Sequence, residues 1–191
     1  MRFGWDISTS IVGIAIFDNS GKYVESRHID LRKMDPEMID KADVVDGLVR
    51  AMAKEQAAAK NYEHVHYVED KLGGFTGGRT MQQTLLKLAA FNLTVSYIVW
   101  KSFHNEGLNS YVDRIHPSTV KSIMRKEGLI ISKGGDKKKI TLDFVCAKEK
   151  SFEQRLEFNR NGKPQPWHFD EADAYITARA GFLRGTKTDA A

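Results

Sequence analysis

Gly4-Trp5-Asp6-Ile7-Ser8-Thr9-Ser10-Ile11-Val12-Gly13-Ile14-Ala15 decides how this chain is read. An apolar run carries one acid, Asp6, near its end. A Ser-Thr-Ser turn follows, and a second apolar run continues to Phe17. Two short apolar runs around a polar turn read as paired strands, so Asp6 stands at the end of a buried strand. Asp18-Asn19-Ser20-Gly21 is a further hairpin signal, and the first thirty residues read as three strands.

Outward from this stretch the pattern changes. Ala42, Val45, Val49 and Met52 recur at helical spacing between about Asp40 and Ala59. Val65-His66-Tyr67-Val68-Glu69 is a strand that again ends in an acid. Lys71 to Arg79 is a glycine-rich loop, and Thr80 to about Phe103 is a long helix. Tyr111–Ile115 reads as a strand, and His116-Pro117-Ser118 starts a helix with Ser118 as its cap. Gly128 ends that helix, and Lys137–Lys148 forms the next. Ser151–Trp167, with Gly162, Pro164 and Pro166, is a loop before a last helix from near Asp170 to Gly181. Three meandering strands and then alternating helices and strands imply an α/β fold, a mixed central sheet flanked by helices. Residues 1–185 are read as one domain and 186–191 as a flexible tail.

Asp6, Glu69, Asp170 and Asp173 sit at strand ends or on one face of a helix. Oxygen ligands on rigid supports are what hard divalent cations require. Asp70 follows Glu69 but points to the opposite face of the strand. Glu171 is expected to point away from the Asp170–Asp173 face into solvent, and His168 is a weaker candidate for a metal or phosphate contact.

Composition narrows the partners. The chain has 191 residues and a formal charge of +4. Lys121 to Lys139 holds seven basic residues against two acids, a net +5 that exceeds the charge of the whole chain. Such polarisation suits a phosphate backbone. One cysteine, Cys146, excludes an internal disulfide framework and fits a reducing cytoplasm. No apolar stretch reaches membrane-spanning length, and the amino terminus enters a strand too early for a signal peptide.

Gly4–Ala15 resembles the first motif of the RuvC-type Holliday junction resolvases, within the RNase H-like superfamily. His66–Glu69 is similar to their second motif, and Asp170-Glu171-Ala172-Asp173-Ala174 resembles their closing one. The resemblance covers Arg2 to about Gly181. It implies an RNase H-like fold and an endodeoxyribonuclease in which Asp6, Glu69, Asp170 and Asp173 bind one or two Mg²⁺ or Mn²⁺ ions, Asp6 bridging both. It also implies paired nicks in a four-way junction leaving 5′-phosphate and 3′-hydroxyl ends, a homodimer, and a cytoplasmic setting in a bacterium or phage-infected host.

Lys121 and Lys137 resemble positions that hold DNA near the cleft. Lys133 and Lys138 are alternatives within the same lysine run, and Arg79 is a backbone contact. Phe75 either stacks into the opened junction or anchors its loop on the protein. The chain departs from the family pattern between Lys137 and Asp170, where it is longer and Phe152 to Trp167 reads as an added loop or subdomain. Three rivals remain: a related nuclease for flaps, forks or other branched DNA, a phosphotransferase with a similar first loop, and a non-catalytic nucleic-acid-binding module. The second needs another lobe that 191 residues leave no room for, and the third is expected to lack one of the four acids.

For the dimer, the helix after the glycine loop carries one apolar stripe of Leu85, Leu88, Val95 and Val99. Leu93, Tyr97 and Trp100 lie off that stripe.

Overall fold

The strand that carries Asp6 lies at the centre of a five-stranded sheet. In the computed structural model, which describes residues 1–34, 37–60, 63–70, 79–132 and 134–188, β1 spans Arg2–Ile7, β2 Ile11–Phe17 and β3 Tyr23–Asp30. Helix α1 (Met38–Ala58) leads to β4 (Glu63–Glu69), and α2 (Arg79–Asn105) leads to β5 (Asn109–Ile115). Helices α3 (Pro117–Lys126), α4 (Lys137–Lys148), α5 (Lys150–Glu153) and α6 (Pro166–Thr188) complete the order. The strands run β3-β2-β1-β4-β5. β1 pairs antiparallel with β2 and parallel with β4, and β4 pairs parallel with β5. The mixed sheet expected from the sequence is therefore present.

Strand periodicity divides the core in two. Phe3, Trp5, Ile7, Val12, Ile14 and Ile16 face one way, against Val45, Val49 and Met52 of α1 and Phe91, Val95, Val99 and Phe103 of α2. Ala15, Phe17, Val65, Tyr67 and Ile115 face the other way, against α3, α4, α5 and α6. Asp6 and Glu69 share parity with this second set and so emerge on the α6 side. A Cβ at Gly4 would overlap the carbonyl oxygen of Ala174, and one at Gly13 that of Asp170. The two glycines let the backbone of α6 lie directly on β1 and β2.

Several element boundaries differ from expectation. α3 is capped by His116, whose Nδ1 accepts the Ser118 amide at 3.3 Å, rather than by Ser118. Pro117 takes the first helical position, where its missing N–H is not needed. The expected loop over Ser151–Trp167 contains the short α5 and a bridge between Phe158 and Pro164. Its last proline opens α6, which starts a turn before Asp170 and runs on to Thr188. A proline in a first helical turn removes no hydrogen bond, so Pro166 marks a start and not a break.

β4 also places His64 and His66 in the apolar layer, both fully buried. His66 Nδ1 accepts the Trp5 indole N–H at 3.2 Å, and the rings pack on Phe3 and Phe103. Burial pushes His64 down to about 4 and His66 well below its ordinary range, so both are neutral in the fold. Unfolded chains take up these protons as pH falls through 6.5 and the folded protein does not. Stability is accordingly complete above 6.5 and falls as pH drops toward 4. Between about pH 7.5 and about pH 5 the loss is about 2 kcal/mol per histidine. Urea denaturation across that range should show it, and His64→Leu should flatten the slope by about half.

Candidate metal centre

Asp6 and Glu69 stand near the carboxyl ends of adjacent parallel strands, and α6 crosses above them. Asp6, Asp170 and Asp173 each present an oxygen within 4.8 Å of the others. Glu69 lines the same cleft as Asp173. Asp6 and Asp170 thus gather around Asp173, which shares a cleft with Glu69. Asp70 turns away, as expected, and pairs with Arg114 at 3.0 Å.

Burial pushes Asp173 up to about 7, and the charge of Asp6 adds to this, with Lys138 opposing and Glu69 and Asp170 contributing further. A carboxylic acid shifted this far reflects its burial first and the neighbouring carboxylates second. Lys138 supplies one compensating cation, its Nζ 2.7 Å from Asp170 Oδ1. Although burial works against it, Lys138 is raised above its ordinary range by Asp170, Asp173 and Asp6. Oxygen donors on a strand and a helix, with excess negative charge at their meeting point, fit a hard divalent ion such as Mg²⁺ or Mn²⁺. Asp6, Asp170 and Asp173 would be the holding residues, with Glu69 beside them.

Of the expected DNA contacts, Lys121 and Lys137 line the cleft together with Glu69 and Asp173. Lys138 faces the acids directly. Arg79 is the first residue of α2. Phe75 and Lys133 lie outside the described residues. Arg125, counted only as basic charge in the sequence, joins Lys121 and Lys137 around an adjoining hollow floored by Leu129 and Ile131.

Two expectations are corrected. Glu171 is not solvated: it is 2% exposed and bonded to Ser26, His28 and His168. His168 is a buried residue of α6 that faces Glu171, not the acid cluster. The helical phase that set Glu171 apart from Asp170 and Asp173 was read correctly, but the inference of solvent was not. α6 is buried nearly all round, with Ala172, Ala174, Tyr175, Ile176, Thr177 and Ala178 all enclosed. Spacing carries no signal for which side of such a helix meets water. Arg32, beside this segment, pairs with Asp30 at 2.6 Å and lies over the Trp167 ring at 5.7 Å.

No protein-family model matches the chain, and no curated protein matches it significantly. Solved structures do. Thermus thermophilus RuvC aligns over 98% of this chain and 96% of its own, at 15% identity and a TM-score of 0.56. T. thermophilus RuvC in complex with a Holliday junction substrate aligns over the same shares at 13% identity and 0.56. The yeast mitochondrial Holliday junction resolvase Ydc2 aligns over 98% of this chain and 82% of its own, at 9% identity and 0.57. At such identities the likeness is one of fold, and it extends the resemblance of three short motifs to the architecture of the whole chain. The chain has the RNase H-like fold of RuvC-type resolvases.

The acid cluster predicts how ion binding depends on pH. Below about 7 Asp173 holds a proton that a metal must displace. Mn²⁺ affinity should therefore rise between about pH 6 and about pH 8, with close to one proton released per ion at the lower value. Calorimetry in buffers of different ionisation enthalpy measures both, and Asp173→Asn should weaken binding and remove the proton release.

Proposed function

We propose that this protein is a metal-dependent endodeoxyribonuclease that resolves four-way DNA junctions by paired nicks, leaving 5′-phosphate and 3′-hydroxyl ends. The observation that carries this reading is the convergence of Asp6, Asp170 and Asp173 within 4.8 Å, on the fold of known junction resolvases. Glu69 and the basic side chains of Lys121 and Lys137 border the same cleft, which gives a phosphodiester a charged path to the acids.

Bound divalent ions supply an activated water and neutralise charge on the phosphate and the leaving oxygen. The protein's part is to hold them and to aim the strand. Asp6 and Glu69 are fixed by the sheet, Asp170 and Asp173 by α6, so the ligands move little relative to one another. Lys138 holds a positive charge beside Asp170, facing the approach of the scissile phosphate. Lys121 and Lys137 draw the flanking backbone along the cleft.

Resolution of a junction requires two like strands to be cut together, hence two active sites related by a twofold axis. One face of α2 supports this. Its inner stripe, Val95 and Val99, is buried. Leu86, Leu93 and Trp100 recur every seven residues, with Tyr97 between them, and all four are at least 41% exposed. Tyr97 and Trp100 pack together at 6.0 Å, and Trp100 stacks on His104. Such a stripe of large apolar side chains is the mark of an association surface, and we assign it to a second copy of this chain.

The substrate is tested by incubating the protein with synthetic four-way junction, flap, fork and linear duplex in Mg²⁺ or Mn²⁺. Symmetric paired nicks in the junction, with religatable ends, are expected. Cutting of flaps or forks with the junction left intact overturns the junction assignment. Asp6→Asn, Glu69→Gln, Asp170→Asn and Asp173→Asn should each lower cleavage by roughly a thousandfold or more while leaving junction binding largely intact.

The dimer is tested by light scattering at micromolar concentration, which should give twice the chain mass. Tyr97→Glu should shift the protein toward monomer and uncouple the two nicks. A monomer that still cuts both strands in concert excludes the assignment.

A further inference from the structure

Asp6, Gly13 and His28 are cross-strand neighbours on β1, β2 and β3, forming one row across the sheet. The first turns of α6 lie on this row. The Asp170 backbone sits above Gly13, close enough that a Cβ there would collide with it. Asp173 faces Asp6 on one side of this contact, and Glu171 faces His28 on the other. Glu171 is the one acid of the Asp170–Asp173 segment that turns away from the metal cluster, and it is fully enclosed.

Its carboxylate is bonded from three directions. Oε2 accepts from Ser26 Oγ at 3.0 Å, and Oε1 lies 2.9 Å from His28 Nδ1. His168 Nδ1 lies 3.2 Å from Oε2, while its Nε2 accepts the Glu157 amide at 2.8 Å. A ring whose Nε2 accepts carries its proton on Nδ1, so His168 donates to Glu171. Arg155 in turn donates to the Ser26 carbonyl at 2.7 Å and to its hydroxyl at 3.3 Å. Burial pushes the Glu171 carboxyl upward, yet the bonds from His168 and His28 hold it at about 2.

Stability alone does not account for this arrangement. A charge enclosed in a helix–sheet contact must be fully satisfied merely to break even with apolar packing of the same volume. Directionality is what apolar packing lacks. Ala172, Ala174 and Ala178 are buried on α6, and the contact with Gly4 and Gly13 sets how close the helix lies, while such short side chains offer no directional bond that fixes its rotation. Side-chain tips lie about 5–6 Å from a helix axis, so a turn of about 10° moves them by about 1 Å. Metal sites hold their ligands to within about 0.2 Å, and reacting geometries fail at displacements near 1 Å.

We infer that Glu171, clamped by Ser26, His28 and His168, is a positioning residue that sets the rotation of α6 so that Asp170 and Asp173 meet Asp6 at the metal. The inference rests on the metal-binding reading of those acids, and it reaches further than the first turns of one helix. The same clamp ties Glu157 and Arg155, from the stretch before α6, to β3. That stretch departs from the family pattern in sequence, and it is here joined to the site's geometry.

The test measures Mn²⁺ binding to the full chain by electron paramagnetic resonance, without DNA, beside the thermal unfolding midpoint. Glu171→Gln keeps the shape and removes the charge that His28 and His168 hold. It should weaken Mn²⁺ binding about tenfold or more in protein that remains folded at the assay temperature. Ser26→Ala deletes a single bond to the carboxylate and should weaken binding severalfold, which keeps the test decisive if the first variant does not fold. A lowered unfolding midpoint with unchanged Mn²⁺ affinity in the folded variants overturns the inference and leaves the metal reading standing. Failure of the unaltered protein to bind Mn²⁺ overturns both.

Discussion

Everything that distinguishes this chain from a generic sheet with helices depends on the contact of α6 with Gly4 and Gly13. The carbonyl oxygens of Ala174 and Asp170 occupy the space that side chains at those two positions would need. A helix resting on ordinary side chains stands well off a sheet. This one rests on backbone, with Ala172, Ala174, Ala178 and Ala180 toward the protein. The closeness is what allows short aspartate side chains on a helix to reach an aspartate on a strand. Even Gly13→Ala would lift α6 at Asp170 and open the cluster, although no charged group would have changed.

The same closeness creates an electrostatic problem that the fold leaves partly unsolved. Acids are gathered where water is largely excluded, and Asp173 responds by holding its proton up to about 7. Lys138, on a different helix, offsets part of the charge through Asp170. A protein selected only for stability would have replaced these groups with apolar ones. Their place next to a cleft edged by lysines is what the proposed binding of ions and phosphates rests on. Nearby, the ionised Glu171 shows the opposite solution, a buried charge with every partner supplied.

The two faces of the sheet have separate duties. The α1–α2 face is an apolar core into which His64 and His66 are inserted neutral, and its outer helix displays Leu86, Leu93, Tyr97 and Trp100. The α6 face carries the acids and the basic cleft. Parity along β1 and β4 assigns each residue to its side: Trp5 and His66 to the core, Asp6 and Glu69 to the site. A second copy bound on α2, as proposed, would therefore lie across the sheet from the acids and leave the cleft uncovered.

Local order is legible in a sequence because its causes are local. Strand alternation around Asp6 and helical spacing from Ala42 to Met52 were enough to read the mixed sheet and the helices α1, α2 and α4, while acids at the ends of two apolar runs and a pair three apart marked Asp6, Glu69, Asp170 and Asp173 as candidates. Those features depend on residues within a few positions of one another. What the sequence did not carry was which surfaces meet. The parallel pairing of β1 with β4, which brings Glu69 near Asp6, joins segments about sixty residues apart. The cap at His116, the early start of α6 at Pro166, the pairing of Lys138 with Asp170 and the enclosure of Glu171 and His168 all follow from tertiary contact. A helix buried on every side shows no amphipathic phase, so the spacing that separates Glu171 from Asp170 and Asp173 does not tell whether its side meets water or a histidine. The chain alone supplied the candidate acids, and only tertiary packing, with α6 seated on two glycines and Glu171 held against β3, decided which of them point at one another.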